Sequence, residues 1–84
     1  PYEIEYLTKK DLANEFLLTS LRTKWGCDLQ KLKDLYSYDL INSQKNKLSE
    51  LIKNGFIIME NESIFLSRSG KFLADSIISD LFWV

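Results

Sequence analysis

Cys27 is the only thiol in the chain, and no histidine accompanies it. That pairing narrows the chemistry at once. Zinc and iron–sulfur sites need several cysteine or histidine ligands. Ser-His and Cys-His nucleophilic pairs need an imidazole as general base. Twelve Asp and Glu residues remain, but in such a background a carboxylate pair singles out nothing. Lys24 is the one nearby group that would favour a thiolate, so Cys27 reads as a small packed or half-exposed thiol without special reactivity. No catalytic, cofactor-binding or metal-ligating residue is assigned. A lone cysteine also excludes an internal disulfide and fits a reducing, cytoplasmic setting.

The charges that stand out lie in NEFLLTSLRTKWGCDL, residues 14–29. Glu15 and Arg22 are seven residues apart, which on a helix puts them on one face with a rise of about 10 Å between them. That is too far for an i,i+4 pair. Each side chain can then answer a group outside the helix, or sit as an ordinary solvated charge. Trp25 fits an interface anchor and equally a cover over the end of the core. Gly26 stands where a helix terminus takes a left-handed conformation that a β-carbon would penalise.

These side chains need a scaffold, and 84 residues, 45% of them hydrophobic and 27% charged, suffice for a single domain over residues 1–84 around one core. No apolar run approaches the roughly 20 residues that cross a bilayer. A first residue of Pro1 rather than Met predicts a piece of a longer protein. PYEIEYL, residues 1–7, reads as an extended lead-in. Thr8 and Asp11 form a capping box, opening a helix over about 9–25 with Leu12, Phe16, Leu17 and Leu21 inward. Asp28 caps a short second helix whose stripe is Leu29, Leu32, Leu35 and Tyr36. After the turn-rich SYDLINS, a third helix runs near 43–54 with Leu48, Leu51 and Ile52 inward, ended by Gly55.

The period then changes. FIIME and SIFLS, separated by NE, read as a β-hairpin. Ser67 caps a last helix in which Leu73, Ile77 and Leu81 recur every four residues. Three helices, a β-hairpin wing and a C-terminal helix make a mainly α, winged-helix-like fold.

Winged helices often bind DNA, and Lys45, Lys47 and Lys53 against Glu50 give the third helix a positive face. Glu60 and Glu62 at the wing tip oppose phosphate contact, and the net charge is −1. A solvated lysine face is the preferred reading over nucleic acid. A stand-alone DNA-binding or regulatory module is retained as the alternative. The terminal Phe82, Trp83 and Val84, if bare, would dock on a parent domain or on a second copy, giving a dimer of the isolated domain.

EFLLTSLRTKWGCDL resembles the start of the C-terminal domain of oxygen-independent coproporphyrinogen III oxidases and related haem chaperones. The matching residues are Glu15, Leu21-Arg22, Gly26 and Asp28-Leu29, with Cys27 where the family more often has Val or Ile. LSELIKNGFIIMENESIFLSRSGKFLADSII continues the likeness, with Ser67 and Gly70 standing for the family's Thr-x-x-Gly. The resemblance implies a parent radical S-adenosylmethionine protein, whose four-iron cluster is held by a Cys-x-x-x-Cys-x-x-Cys motif in an N-terminal barrel. This domain would hold no cofactor of its own. It would pack on that barrel and cover the active-site cleft, with Glu15, Arg22, Trp25 and Gly26 as interdomain contacts.

Overall fold

The computed structural model describes residues 8–84; the lead-in over 1–7 lies outside them. Helix α1, Lys9–Leu21, starts at the Thr8–Asp11 box: Thr8 Oγ1 accepts from the Asp11 N–H and the Asp11 carboxylate accepts from the Thr8 N–H, both at 3.2 Å. Ala13, Leu17 and Leu21 recur at four-residue spacing and form its buried edge. The helix ends four residues before the expected Trp25. Arg22 is the C-cap, and the Thr23 hydroxyl donates to the Ser20 carbonyl at 2.8 Å while accepting from the Trp25 N–H at 3.3 Å. A short hydroxyl side chain thus takes over backbone groups that would have continued the helix.

Gly26 is therefore not a helix C′ residue. It does take a left-handed conformation, at φ +75°, but its larger constraint is distance: a β-carbon there would lie 2.5 Å from the Ile64 carbonyl oxygen. That close approach lets Cys27–Asp28 form a short strand, β1, paired antiparallel with Ile64 and Ser63. Two residues with no alternation gave no sequence signal for it. Asp28 also caps α2, Leu29–Tyr36, accepting from the N–H groups of Gln30 and Lys31.

After α2 the chain turns through Ser37 at φ 60°. The expected third helix is α4, Lys45–Lys53, and the SYDLINS stretch expected as a turn carries a short helix of its own, α3 over Leu40–Ser43, separated from α4 at Gln44. Gln44 turns its amide to the Phe82 carbonyl at 2.9 Å. The hairpin is as expected: β2, Ile57–Glu60, pairs antiparallel with β3, Ser63–Leu66, around Asn61-Glu62. The sheet order is β1-β3-β2. Ser67 caps α5, Arg68–Phe72, by accepting from the Gly70 N–H at 3.1 Å, and its own N–H donates to the Phe56 carbonyl. A β-carbon on Gly70 would meet that same Phe56 oxygen at 2.2 Å, which explains a glycine three residues after the cap.

The last helix breaks at Leu73, so α6 is Ala74–Asp80. Ile77 and Leu81 are buried as expected, with Ile78 beside them, whereas Leu73 is exposed. Leu12, Leu35 and Ile52, expected inward, are exposed too. The core is instead completed by Tyr38, Leu40, Ile57, Ile64 and Leu66. Each fully buried aliphatic side chain contributes about 1.5–3 kcal/mol. Phe82 and Trp83 pack on this core rather than standing bare. The architecture is mainly α with a three-stranded antiparallel sheet in winged-helix order.

Candidate docking surface

The charged residues of α1 find different fates. Leu12, Glu15, Thr19 and Arg22 line one exposed stripe of the helix, and Glu15 has no side-chain partner among the described residues. Arg22 is answered within the chain: its Nη2 donates to Asp75 Oδ1 in the first turn of α6. The expectation that Arg22 is unanswered is corrected to that extent. The side chains remain 54% and 86% exposed, so the pair is screened by water and worth at most about 1 kcal/mol.

Trp25 is 73% exposed and does not cover the core. Its ring carries the Lys24 ammonium at 4.8 Å from the centroid, a cation–π contact of about 0.5–1 kcal/mol at such a site. The Arg22–Gly26 turn is a ridge between depressions. On one side Trp25 and Gly26 border a hollow floored by Phe16 and Ser20. On the other, Thr23 and Lys24 border a second hollow beside Ile58 and Phe65. That hollow shares Leu21, Leu66 and Lys71 with a third cleft of about 550 Å³, walled by Phe72, Leu73 and Asp75. Of the four residues named from sequence, Trp25 and Gly26 border the first hollow and Arg22 the third cleft, while Glu15 lines none of the three. Gly26 acts there by letting β1 reach β3, since its missing side chain leaves nothing to contact a partner.

Sequence reasoning missed Phe72, which is 86% exposed, together with Leu73 and Ile58. Phe72 lies five residues before Ile77 and six before Ile78, out of phase with the buried edge of α6. An apolar residue off the helical period was the signal available for it.

Among the described residues no group of three or more His, Cys, Asp or Glu side chains could hold a metal ion. Cys27 does not suit an iron–sulfur cluster either. It is fully buried, and burial, helped by the neighbouring Asp28, pushes its thiol up to about 12. Its neutral thiol packs in the core as a small apolar group. The face offers apolar area and mixed charge. Among the described residues no helix is long and apolar enough to cross a membrane.

The described residues form a winged-helix-like module whose Trp25 and Phe72 are left exposed. The chain matches the model of the HemN C-terminal domain over residues 7–73, and it belongs to that family. No curated protein and no solved structure gives a significant match. The family match stops at the Leu73 break, so α6 and residues 81–84 lie beyond it.

Proposed function

We propose that this is the C-terminal accessory domain of an oxygen-independent coproporphyrinogen III oxidase-like radical S-adenosylmethionine protein of porphyrin and haem biosynthesis. It packs on the N-terminal catalytic barrel of the same chain and covers the active-site cleft, in the cytoplasm. The four-iron cluster and S-adenosylmethionine belong to that barrel. The observation that carries the reading is the family match over residues 7–73, supported by an α1 stripe and turn left bare by the domain's own core.

The test is made in the full-length protein. Trp25→Ala and Arg22→Ala are expected to loosen the domain from the barrel, lowering both thermal stability and porphyrinogen turnover. Full activity and unchanged stability in both variants would contradict the reading. So would preceding coding sequence that lacks the three-cysteine motif. Association with duplex DNA that falls steeply with salt would favour the alternative of a DNA-binding module.

A further inference from the structure

Glu62 at the wing tip and Lys53 at the end of α4 line none of the three depressions that Trp25 and Phe72 border. Between them in sequence runs β2, an edge of a sheet whose order is β1-β3-β2. Glu60 pairs with Ser63 across a two-residue turn, and Met59 pairs with Ile64. In such a hairpin the closing pair exchanges both backbone hydrogen bonds, and bonded pairs alternate from there. Ile58 therefore bonds to Phe65, while Met59 turns its N–H and C=O out of the sheet. Ile64, opposite it, turns the other way and pairs with Cys27. No backbone group of the described residues answers Met59.

The side chains do not protect this edge. Edge strands are commonly blunted by proline, lysine or a bulge, and Ile57–Glu60 carries none of these. Ile57 is buried and ties the strand to the core, whereas Ile58 and Met59 are 50% and 37% exposed. Successive strand residues point to opposite faces, so apolar surface is left on both sides of the edge. Charge says what such an edge accepts. Lys53 precedes the strand at the end of α4, and Glu60 and Glu62 stand at its far end. All three are exposed, and none has a salt-bridge partner among the described residues. A second β2 laid parallel sets Glu60 beside Glu60, which is unfavourable. Laid antiparallel, the acidic end of each strand runs towards the basic start of the other.

We infer that β2 is a self-association edge: two copies of this protein pair their β2 strands antiparallel about a two-fold axis at Met59, joining their three-stranded sheets into one. Met59 of each copy donates its N–H to the Met59 carbonyl of the other and accepts in return. Glu62 of each copy then runs towards Lys53 of the other. An isologous contact needs one patch that is complementary to itself, and residues 53–62 hold the base, the apolar centre and the acid in that order. The inference goes beyond the accessory-domain reading and does not rest on it, since the contacts proposed there lie in α1 and the turn after it.

Analytical ultracentrifugation of the full-length protein tests the inference and is expected to show a reversible dimer. Met59→Pro removes the outward N–H but no bond to β3. It is expected to raise the dimer dissociation constant at least about tenfold, with the melting temperature of the dilute protein unchanged. Lys53→Glu is expected to weaken association about fivefold, and Lys53→Glu with Glu62→Lys to restore it. Met59→Cys is expected to give a disulfide-linked dimer on mild oxidation, because a hydrogen-bonded pair holds its Cα atoms about 5.5 Å apart. Cys27 is buried and gives no background. A protein that stays monomeric up to about 100 μM overturns the inference. So does a dimer whose affinity is the same in Met59→Pro and in Lys53→Glu. If Met59→Pro lowers the melting temperature, the charge exchange and the Met59→Cys crosslink decide, and failure of both overturns it.

Discussion

The two tryptophans of this chain each follow a helix, and the fold treats them in opposite ways. Trp83 lies over Tyr38, with ring centroids 5.3 Å apart and planes at 12°. Its backbone is held on both sides by Asn14, which donates to the Trp83 carbonyl at 3.1 Å and accepts from the Trp83 N–H at 2.7 Å. Gln44 takes the Phe82 carbonyl and the Tyr38 hydroxyl takes the Leu81 carbonyl at 2.6 Å. Trp25 donates its N–H to the Thr23 hydroxyl at 3.3 Å, and its ring, with the Lys24 ammonium over it, stays largely exposed. The difference separates a ring the domain uses in its own packing from one it leaves in water. After the family match Phe82 and Trp83 close the core and Val84 alone among the large hydrophobics is left exposed, while inside the match the Trp25 ring stays in water.

The strongest test of this contrast lies one residue from Trp25. Gly26→Ala combines a strained φ with a contact far inside van der Waals distance, and is expected to lower unfolding free energy by about 4 kcal/mol in denaturant titration. If Gly26→Ala is tolerated, the turn is loose and its ring is not held in place for anything. Trp83→Ala is expected to lose about 3 kcal/mol. Asn14→Ala, which strips both hydrogen bonds from the Trp83 backbone, is expected to lose about 2 kcal/mol. Amide exchange at residues 81–83 should then quicken more than exchange at Leu17.

Alkaline pH sharpens the comparison from the side of the tail. Tyr38 is raised above its ordinary 10.0 by burial, with the Gln44 hydrogen bond opposing. Cys27 is raised from 9.0 to about 12. Both are neutral in the fold, so their contribution is complete below the ordinary values and is lost as pH rises through the folded ones. The melting temperature is expected to start falling near pH 9 and to fall faster above pH 10. Cys27→Ala should remove the first part and Tyr38→Phe the second. Asp39 works in the opposite direction. Hydrogen bonds from Asn42 lower its pKa, so its smaller contribution is present above 3.8 and lost as pH falls through the lowered value.

What could be read from sequence alone follows the range of the interactions. Thr8 with Asp11, Asp28 with Gln30 and Lys31, and Ser67 with Gly70 span three residues or fewer, and each cap was legible from residue type. The hairpin was legible from its change of period. Strand β1 depends on a partner 37 residues away, at Ile64. The break at Leu73 interrupts a run whose apolar spacing is still helical, and α3 lies inside a stretch whose turn residues hid it, next to Gln44, whose amide reaches a carbonyl at Phe82. Arg22 meets Asp75 across 53 residues. The candidate surface was half legible for the same reason: the α1 motif named Arg22 and Trp25, but only tertiary packing brings Phe72 and Lys71 into one cleft with Arg22.

The central claim is that Trp25 is spare in the domain and used in the whole protein. Its most direct measurement is the loss of unfolding free energy on Trp25→Ala, taken once in residues 1–84 alone and once in the full-length chain. The account expects a change within about 0.5 kcal/mol in the first and a loss of about 2 kcal/mol in the second. A small change in both, or a large loss already in the isolated chain, would contradict it.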